Sequence, residues 1–331
     1  MAANTGGEFQ FHRLVQSRAA GGLSIDLLRH FVQELKVIKP DMIHVRGLGN
    51  EGFHGVFAAR LAGVPKVLVS VHGTVRDLLF PKNRARNAFV RNVLEPATLR
   101  MATHVMTVCD YAAKRKFLSP YSNKFVGVVR NGVDLPVFDS DLRNQVRSEF
   151  GVGDRDVVSI SVSRITKEKG YFALADALIR LPRLSKMLHV WVVGDGPDRA
   201  EIEAAMPRRD DVCVRFLGHR NDVGRFLQGG DMFVFPSLHE NLSNALLEGM
   251  SFGLPPVAFS VGGNTEVLGN DLSGLIVPGD VDSFSRAIFR YIEDDVFRRE
   301  DAASAKERVG RCFSMNLMVN RMFDVYRNVL N

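Results

Sequence analysis

The chain has 331 residues, 46% hydrophobic and 24% charged, the balance of a globular protein with apolar material for two cores. No run of about 18 apolar residues occurs, so no membrane-spanning helix is expected, and residues 1–13 lack the basic-then-apolar pattern of a secretory leader. The net charge of +6 is uneven: residues 1–130 carry 19 Lys and Arg against 8 Asp and Glu, and residues 131–331 carry 24 against 29.

Taken in chain order, the first strand candidate is Glu8 to Leu14. A helix follows over Ile25 to Ile38, where Leu27, Leu28, Phe31, Leu35 and Ile38 share one face at helical spacing. Short apolar runs at Asp41 to Val45, Lys66 to Val71, His104 to Val108 and Phe125 to Val129 read as buried strands. The second half repeats the alternation. Strands are predicted at Val157 to Val162, Leu188 to Val193, Val212 to Leu217, Met232 to Pro236, Leu254 to Phe259 and Ser273 to Val277, with helices at Phe172 to Leu181 and Ser283 to Ile292. Such alternation builds α/β folds with parallel sheets. The fold class is two doubly wound, Rossmann-like sheets. The boundary falls at the Asn131-Gly132 turn signal, giving domains 1–133 and 134–312. A final helix over Phe313 to Leu330 has its own apolar face through Leu317, Met318, Met322, Val325 and Tyr326.

The basic first half concentrates charge at Lys82, Arg84, Arg86 and Arg91 and at Lys114-Arg115-Lys116. These are either solvated helix faces or a surface for anionic phospholipid headgroups or an anionic acceptor. Nucleic acid is disfavoured, because no recognised binding motif accompanies the charge. Cys109, Cys213 and Cys312 are far apart, odd in number and without ligand spacing, which predicts free thiols in a reducing compartment and no metal site.

The segment from Pro236 to Gly253 carries most of the chemistry. A strand end leads through a polar loop into a helix capped at Ser243-Asn244 and stopped at Gly253. Open parallel sheets bind ligands beyond the carboxyl ends of their strands, and a helix start there offers free N–H groups to a phosphate. Glu240 and Glu248 could each accept two hydrogen bonds from hydroxyl-rich groups. By themselves they also read as a surface residue and an ion-pair partner. Arg164 and Lys169 follow another strand end and are two cations suited to a diphosphate. Gly194 and Gly196 permit a tight turn with close backbone approach. His72, at the strand end Val71-His72-Gly73, is a hydrogen-bond donor or a structural histidine.

Several elements in order resemble retaining glycosyltransferase family 4, of the GT-B fold. Glu240 and Glu248 match its Glu-x7-Glu motif, and Arg164 through Lys169-Gly170 matches its Arg-x4-Lys-Gly element. Gly194-Asp195-Gly196 resembles its glycine turn, Phe216 to Asp222 its base loop, and Val261-Gly262-Gly263-Asn264-Thr265-Glu266 its Gly-Gly-x-x-Glu turn. Asn131 to Asp134 resembles its interdomain Asn-Gly-Val-Asp. The resemblance implies two domains facing a cleft, with the last helix, 313–331, returning to the first domain. It implies transfer of a hexose from a nucleoside-diphosphate sugar, with retention, to a glycan or lipid-linked acceptor. Glu240, Arg164, Lys169 and His72 would be catalytic. Glu248 would bind ribose, while Asn241, Leu242, Ser243, Asn244, Gly194, Gly196, Gly218 and His219 would line the donor site. Thr74, Arg76 and the Gly47 to Glu51 loop would meet the acceptor. No metal or other cofactor is required, and no protein general base is obligatory, since the leaving phosphate oxygen helps deprotonate the acceptor. The enzyme would be cytoplasmic, touching the inner membrane face through its basic domain.

The start departs from the family. Neither Gly6-Gly7 nor Gly21-Gly22 follows a strand, and Glu8 to Leu14 matches the family's third strand. This predicts a natural product longer by about one βαβ unit, or a degenerate member. A non-catalytic GT-B subunit or a nucleotide-sugar epimerase are the alternative readings. A nicotinamide enzyme is disfavoured, since no Gly-x-Gly-x-x-Gly opens a helix.

Overall fold

The structure is a computed structural model and describes residues 8–14, 24–81, 83–269, 272 and 274–331. The first sheet holds β1 (Met42–Arg46), β2 (Lys66–Val71), β3 (His104–Thr107) and β4 (Phe125–Val128) in sequential order, all parallel. Right-handed crossovers in a sequential sheet fall on one face. The helices Ile25–Ile38, Asn50–Ala62 and Glu95–Met101 cover that face, packing Leu27, Phe31, Val56 and Leu99 against Val45, Val67, Val69 and Val105.

The other face is covered from far along the chain. The helix Met315–Leu330 returns to it, and its Val325 and Val329 pack on Leu68, Met106 and Val129. Burying one such aliphatic side chain contributes on the order of 1.5–3 kcal/mol, so this small cluster fixes where the helix lies. The two passages between the halves run side by side. Val133 N–H donates to the Phe313 carbonyl at 2.9 Å, and Met315 N–H donates to the Val133 carbonyl at 3.0 Å. Gly132 is needed there, because a Cβ would stand 2.8 Å from Met318 Cβ and 2.9 Å from the Ser314 oxygen.

The second sheet comprises β5 (Val157–Val162), β6 (Leu188–Val193), β7 (Val212–Gly218), β8 (Met232–Phe235), β9 (Pro256–Phe259) and β10 (Leu275–Ile276). Its order is β10-β9-β8-β5-β6-β7. The runs in β6 and β8 are wholly buried, as continuous apolar strands between helix layers should be. β5 pairs with both β6 and β8, so the order reverses between β5 and β8. A crevice opens at such a reversal, beyond the carboxyl ends of the two strands.

The strand expected over Glu8 to Leu14 does not form. Residues 9–14 are irregular. Their side chains are engaged by the last helix instead: Phe9 stacks on Phe323 at 5.6 Å, and the Glu8 carboxylate pairs with the Arg327 guanidinium at 2.7 Å. The remaining predicted strands agree with the observed ones to within one or two residues, and the first helix matches at both ends. Ser273 itself, in the run predicted for β10, lies outside the described residues.

Candidate active site

The loops that leave β5 and β8 flank the crevice. After β5 come Ser163 and Arg164, then a short turn over Lys167–Lys169, then Gly170 and the helix Tyr171–Ile179. Gly170 has φ +71°, and a Cβ there would stand 1.8 Å from the Pro236 oxygen, so the two loops touch through backbone. Lys169 Nζ lies 2.5 Å from Glu240 Oε1, and Ser237 Oγ donates to the same oxygen at 2.8 Å. Arg164 is exposed at the strand end and has no acidic partner among the described residues.

The helix Asn244–Ser251 starts in this crevice. Ser243 caps it by accepting from Leu246 N–H at 3.2 Å. The N–H groups of Asn244 and Ala245 have no partner among the described residues. Glu248 keeps solvent access one turn further on. Partial burial pushes its carboxyl above the usual range, and the carboxylate has no hydrogen-bond partner among the described residues. Leu242 is buried in the core and supports the loop from below.

Gly194 and Gly196 approach protein backbone. Cβ atoms there would stand 1.9 Å from the Ser163 oxygen and 2.1 Å from the Ile165 oxygen. Their smallness lets the β5 and β6 loops lie against each other, which holds Arg164 in place. Gly218 needs its positive φ of +70°, and neighbouring His219 is exposed. Gly262 and Gly263 play the same supporting part under the β8 loop. Cβ atoms on them would stand 1.7 Å from the oxygens of Glu240 and Asn241 respectively.

The first domain faces this crevice with the loop after β2. Gly73 sits with its Cβ direction 3.6 Å from Asn241 Nδ2. Beside it, His72 Nε2 lies 3.1 Å from Ser70 Oγ. Burial, then the positive charge of Arg46, then His44, push the His72 pKa down to about 4, so the ring is neutral near pH 7. It offers one N–H and one lone pair, without charge.

Thr74 and Arg76, expected at the acceptor, are occupied structurally. Thr74 caps the turn Val75–Asp77, and Arg76 Nε donates to the buried Glu95 at 2.9 Å while its Nη2 donates to the Arg91 carbonyl. A buried carboxylate left without its cation is costly, so this arginine is held by the fold. Gly47, in the other loop expected there, has φ +85° and lies under Gly52, whose Cβ would stand 2.1 Å from the Gly47 oxygen.

A set of contacts that no motif spacing indicated ties the two halves together. Asn241 Nδ2 donates to Asp77 Oδ2 at 3.1 Å, and Arg115 Nη1 lies 2.5 Å from Asp77 Oδ1. The Cys109 thiol donates to the Asn241 carbonyl at 3.1 Å; burial pushes its pKa up to about 11, so it stays protonated. Glu266 accepts from the N–H groups of Asp110 at 3.0 Å and Tyr111 at 2.6 Å, with Arg130 Nε at 3.6 Å. The structure makes it a clamp from the second domain on the first. A second, charged cavity of about 480 Å³ lies at the amino ends of the second sheet, where Arg143 and Arg147 hold Asp231 and Lys186 and Arg298 hold Asp295. Those pairs are mutually satisfied on the side away from the crevice.

Residues 6–136 match the family Glycosyltransferase Family 4, and residues 156–294 match Glycosyl transferases group 1. The chain is 28% identical to an Escherichia coli UDP-Gal:alpha-D-GlcNAc-diphosphoundecaprenol alpha-1,3-galactosyltransferase, covering 88% of this chain and 76% of the relative. It is 25% identical to an alpha-D-kanosaminyltransferase of Streptomyces kanamyceticus, covering 86% and 76%. Among solved structures, Anabaena HepE in complex with UDP and glucose superimposes with a TM-score of 0.78 at 20% identity, covering 92% of this chain and 82% of that one. That likeness establishes the GT-B fold.

Proposed function

We propose that this chain, which belongs to glycosyltransferase family 4, moves a hexose from a nucleoside-diphosphate sugar to a glycan or lipid-linked acceptor, with retention and without a metal ion. The observation that carries this reading is the convergence at one crevice of Arg164, the Lys169–Glu240 pair, the open start of the Asn244–Ser251 helix and Glu248, whose carboxylate has no partner among the described residues. A diphosphate placed there meets Arg164 and the free N–H groups, and Lys169 reaches it from beside Glu240. The charge that develops on the departing diphosphate is the main electrostatic demand of such a reaction, and preorganised cations and N–H dipoles meet it. Glu248 accepts from ribose hydroxyls and Glu240 from the sugar. Neutral His72 donates to the sugar from the opposite wall. The leaving phosphate oxygen takes the acceptor's proton, so bond breaking and bond making share one face of the sugar and the configuration is kept.

Thermal denaturation against UDP-, GDP- and ADP-sugars tests the donor half. A ligand at a hundred times its Kd stabilises by about 2.7 kcal/mol. Glu240→Ala or Lys169→Ala should then lower transfer or donor hydrolysis by about 10²–10³-fold. No stabilisation by any nucleotide sugar, or full turnover in both variants, would sink the reading.

A further inference from the structure

We propose that Asp77 is a positioning residue for the transfer reaction: through Asn241 it fixes the span between His72 and Glu240, the two groups that face the sugar from opposite walls. The inference rests on the transfer reading and adds to it a first-domain residue that acts through a second-domain one.

Asp77 closes the turn Val75–Asp77, a few residues beyond His72. Its Oδ2 accepts from Asn241 Nδ2 at 3.1 Å and from the Thr74 N–H at 2.8 Å, and Arg115 Nη1 lies 2.5 Å from its Oδ1. The side chain is only 10% exposed. Burial pushes the carboxyl up, but the Thr74 N–H, the Asn241 amide and the Arg115 guanidinium outweigh it and hold the group below the usual carboxylate range. Asp77 is therefore an ion that only accepts, and the Asn241 amide must be the donor.

Asn241 is held from the first domain through both side chain and backbone. Its amide goes to Asp77, and its carbonyl accepts from the Cys109 thiol at 3.1 Å. Neither bond completes a sheet or a helix. Asp77 already has a cation and an N–H within its own domain, so Asn241 is not needed to keep a buried charge paired. What the bond adds is position across the gap.

The chain shows what is positioned. Gly73 follows His72, and a Cβ on it would stand 3.6 Å from Asn241 Nδ2. Asn241 follows Glu240, whose carboxylate is held on its own side by Lys169 and Ser237. One hydrogen bond thus links the two stretches of backbone that carry His72 and Glu240. The groups that meet the diphosphate, Arg164, Lys169 and the start of the Asn244–Ser251 helix, all lie in the second domain. Loss of the bond loosens the sugar slot and leaves the diphosphate site intact. A displacement of about 1 Å in such a slot can cost about 10²-fold in rate.

Hydrolysis of UDP-glucose, UDP-galactose and GDP-mannose by the full chain, with calorimetric titration of UDP and GDP, tests the proposal. With the donor that the parent turns over fastest, Asp77→Ala and Asn241→Asp should each lower kcat about 10²-fold, while the Kd of the free nucleotide stays within about twofold. In Asn241→Asp two carboxylates oppose each other across the gap. Adding Asp77→Asn restores the amide–carboxylate pair in reverse, so the double variant should regain at least about tenfold in kcat over Asn241→Asp alone. Nucleotide binding confirms that each variant is folded, and a purely structural role would move the melting point without moving kcat per binding site. If Asp77→Ala does not fold, the comparison of Asn241→Asp with the double variant decides. Parental kcat in the single variants, no gain in the double variant, or nucleotide affinity falling in step with kcat overturns the proposal. A parent that hydrolyses none of the donors sinks the transfer reading and this proposal with it; a parent that hydrolyses one, with variants equal to it, sinks this proposal alone.

Discussion

The two walls of the cleft are built differently. In the second domain, the site loops are fixed by glycines packed against neighbouring backbone: Gly170 on Pro236, Gly194 on Ser163, Gly196 on Ile165, Gly262 on Glu240 and Gly263 on Asn241. In the first domain, the facing loop is held by charged side chains, with Arg76 on Glu95 and Arg115 on Asp77. Backbone packing leaves little freedom, which suits a wall that must present charges at fixed distances. These pairs are largely buried, so this wall is fixed through side chains where the other is fixed through backbone. The Glu266 clamp joins the two walls.

The largest expected effect comes from breaking the rigid wall. Gly263→Ala places a methyl group 1.7 Å from a backbone oxygen and should cost at least about 3 kcal/mol, with loss of activity. Gly63→Ala is the control in the first domain: φ is +78° but nothing lies within 4 Å, so only about 1 kcal/mol of left-handed strain is expected. Equal melting points for the two variants would mean that the glycine packing does not hold the loops.

Next is the clamp. Glu266→Ala removes two charge-assisted bonds to the first domain and should cost about 2 kcal/mol of stability. Transfer should fall more than donor binding does, because the donor wall is untouched. Nucleotide affinity falling in step with transfer would place Glu266 in the donor site instead.

The gentlest test is pH. His44 and His72 are both pushed down to about 4, chiefly by burial, from 6.5. In the unfolded chain they take up protons near pH 6.5, but in the folded chain only near 4. The native state therefore binds fewer protons across that window, and stability falls as pH drops through it. The slope approaches about 1.4 kcal/mol per pH unit for each histidine. Urea titrations at pH 7 and pH 5 should show the loss, and His72→Gln should reduce it. A denaturation midpoint that does not move between those pH values would show that the histidines are not buried as described.

The second-domain wall was legible because its requirements are local. A strand end, a cap at Ser243 and glycines at 194, 196, 262 and 263 are visible along the chain, and each serves a loop a few residues long. Why those glycines are needed was less legible. Gly194 and Gly196 looked suited to approach a ligand, but their neighbours are Ser163 and Ile165, about thirty residues earlier in the chain. In the first domain, Arg76 was expected at the acceptor, and the fold places Glu95 beneath it.

By itself the sequence determined the order of the observed strands and the position of several helices, because apolar periodicity and capping act within one helix or strand. It also placed the cations Arg164 and Lys169 just after a strand end. Tertiary structure alone decided the reversal between β5 and β8 that brings Arg164, Lys169 and Glu240 together, and the pairing of Lys169 with Glu240. It decided that Glu8 to Leu14 lies against the last helix and forms no strand, since the aromatics of that helix take up Phe9 and Phe11. It also decided that Glu266 and Cys109 join the domains. Those contacts link residues more than 130 positions apart. No spacing rule reaches that far, because such pairs meet only after both sheets have formed.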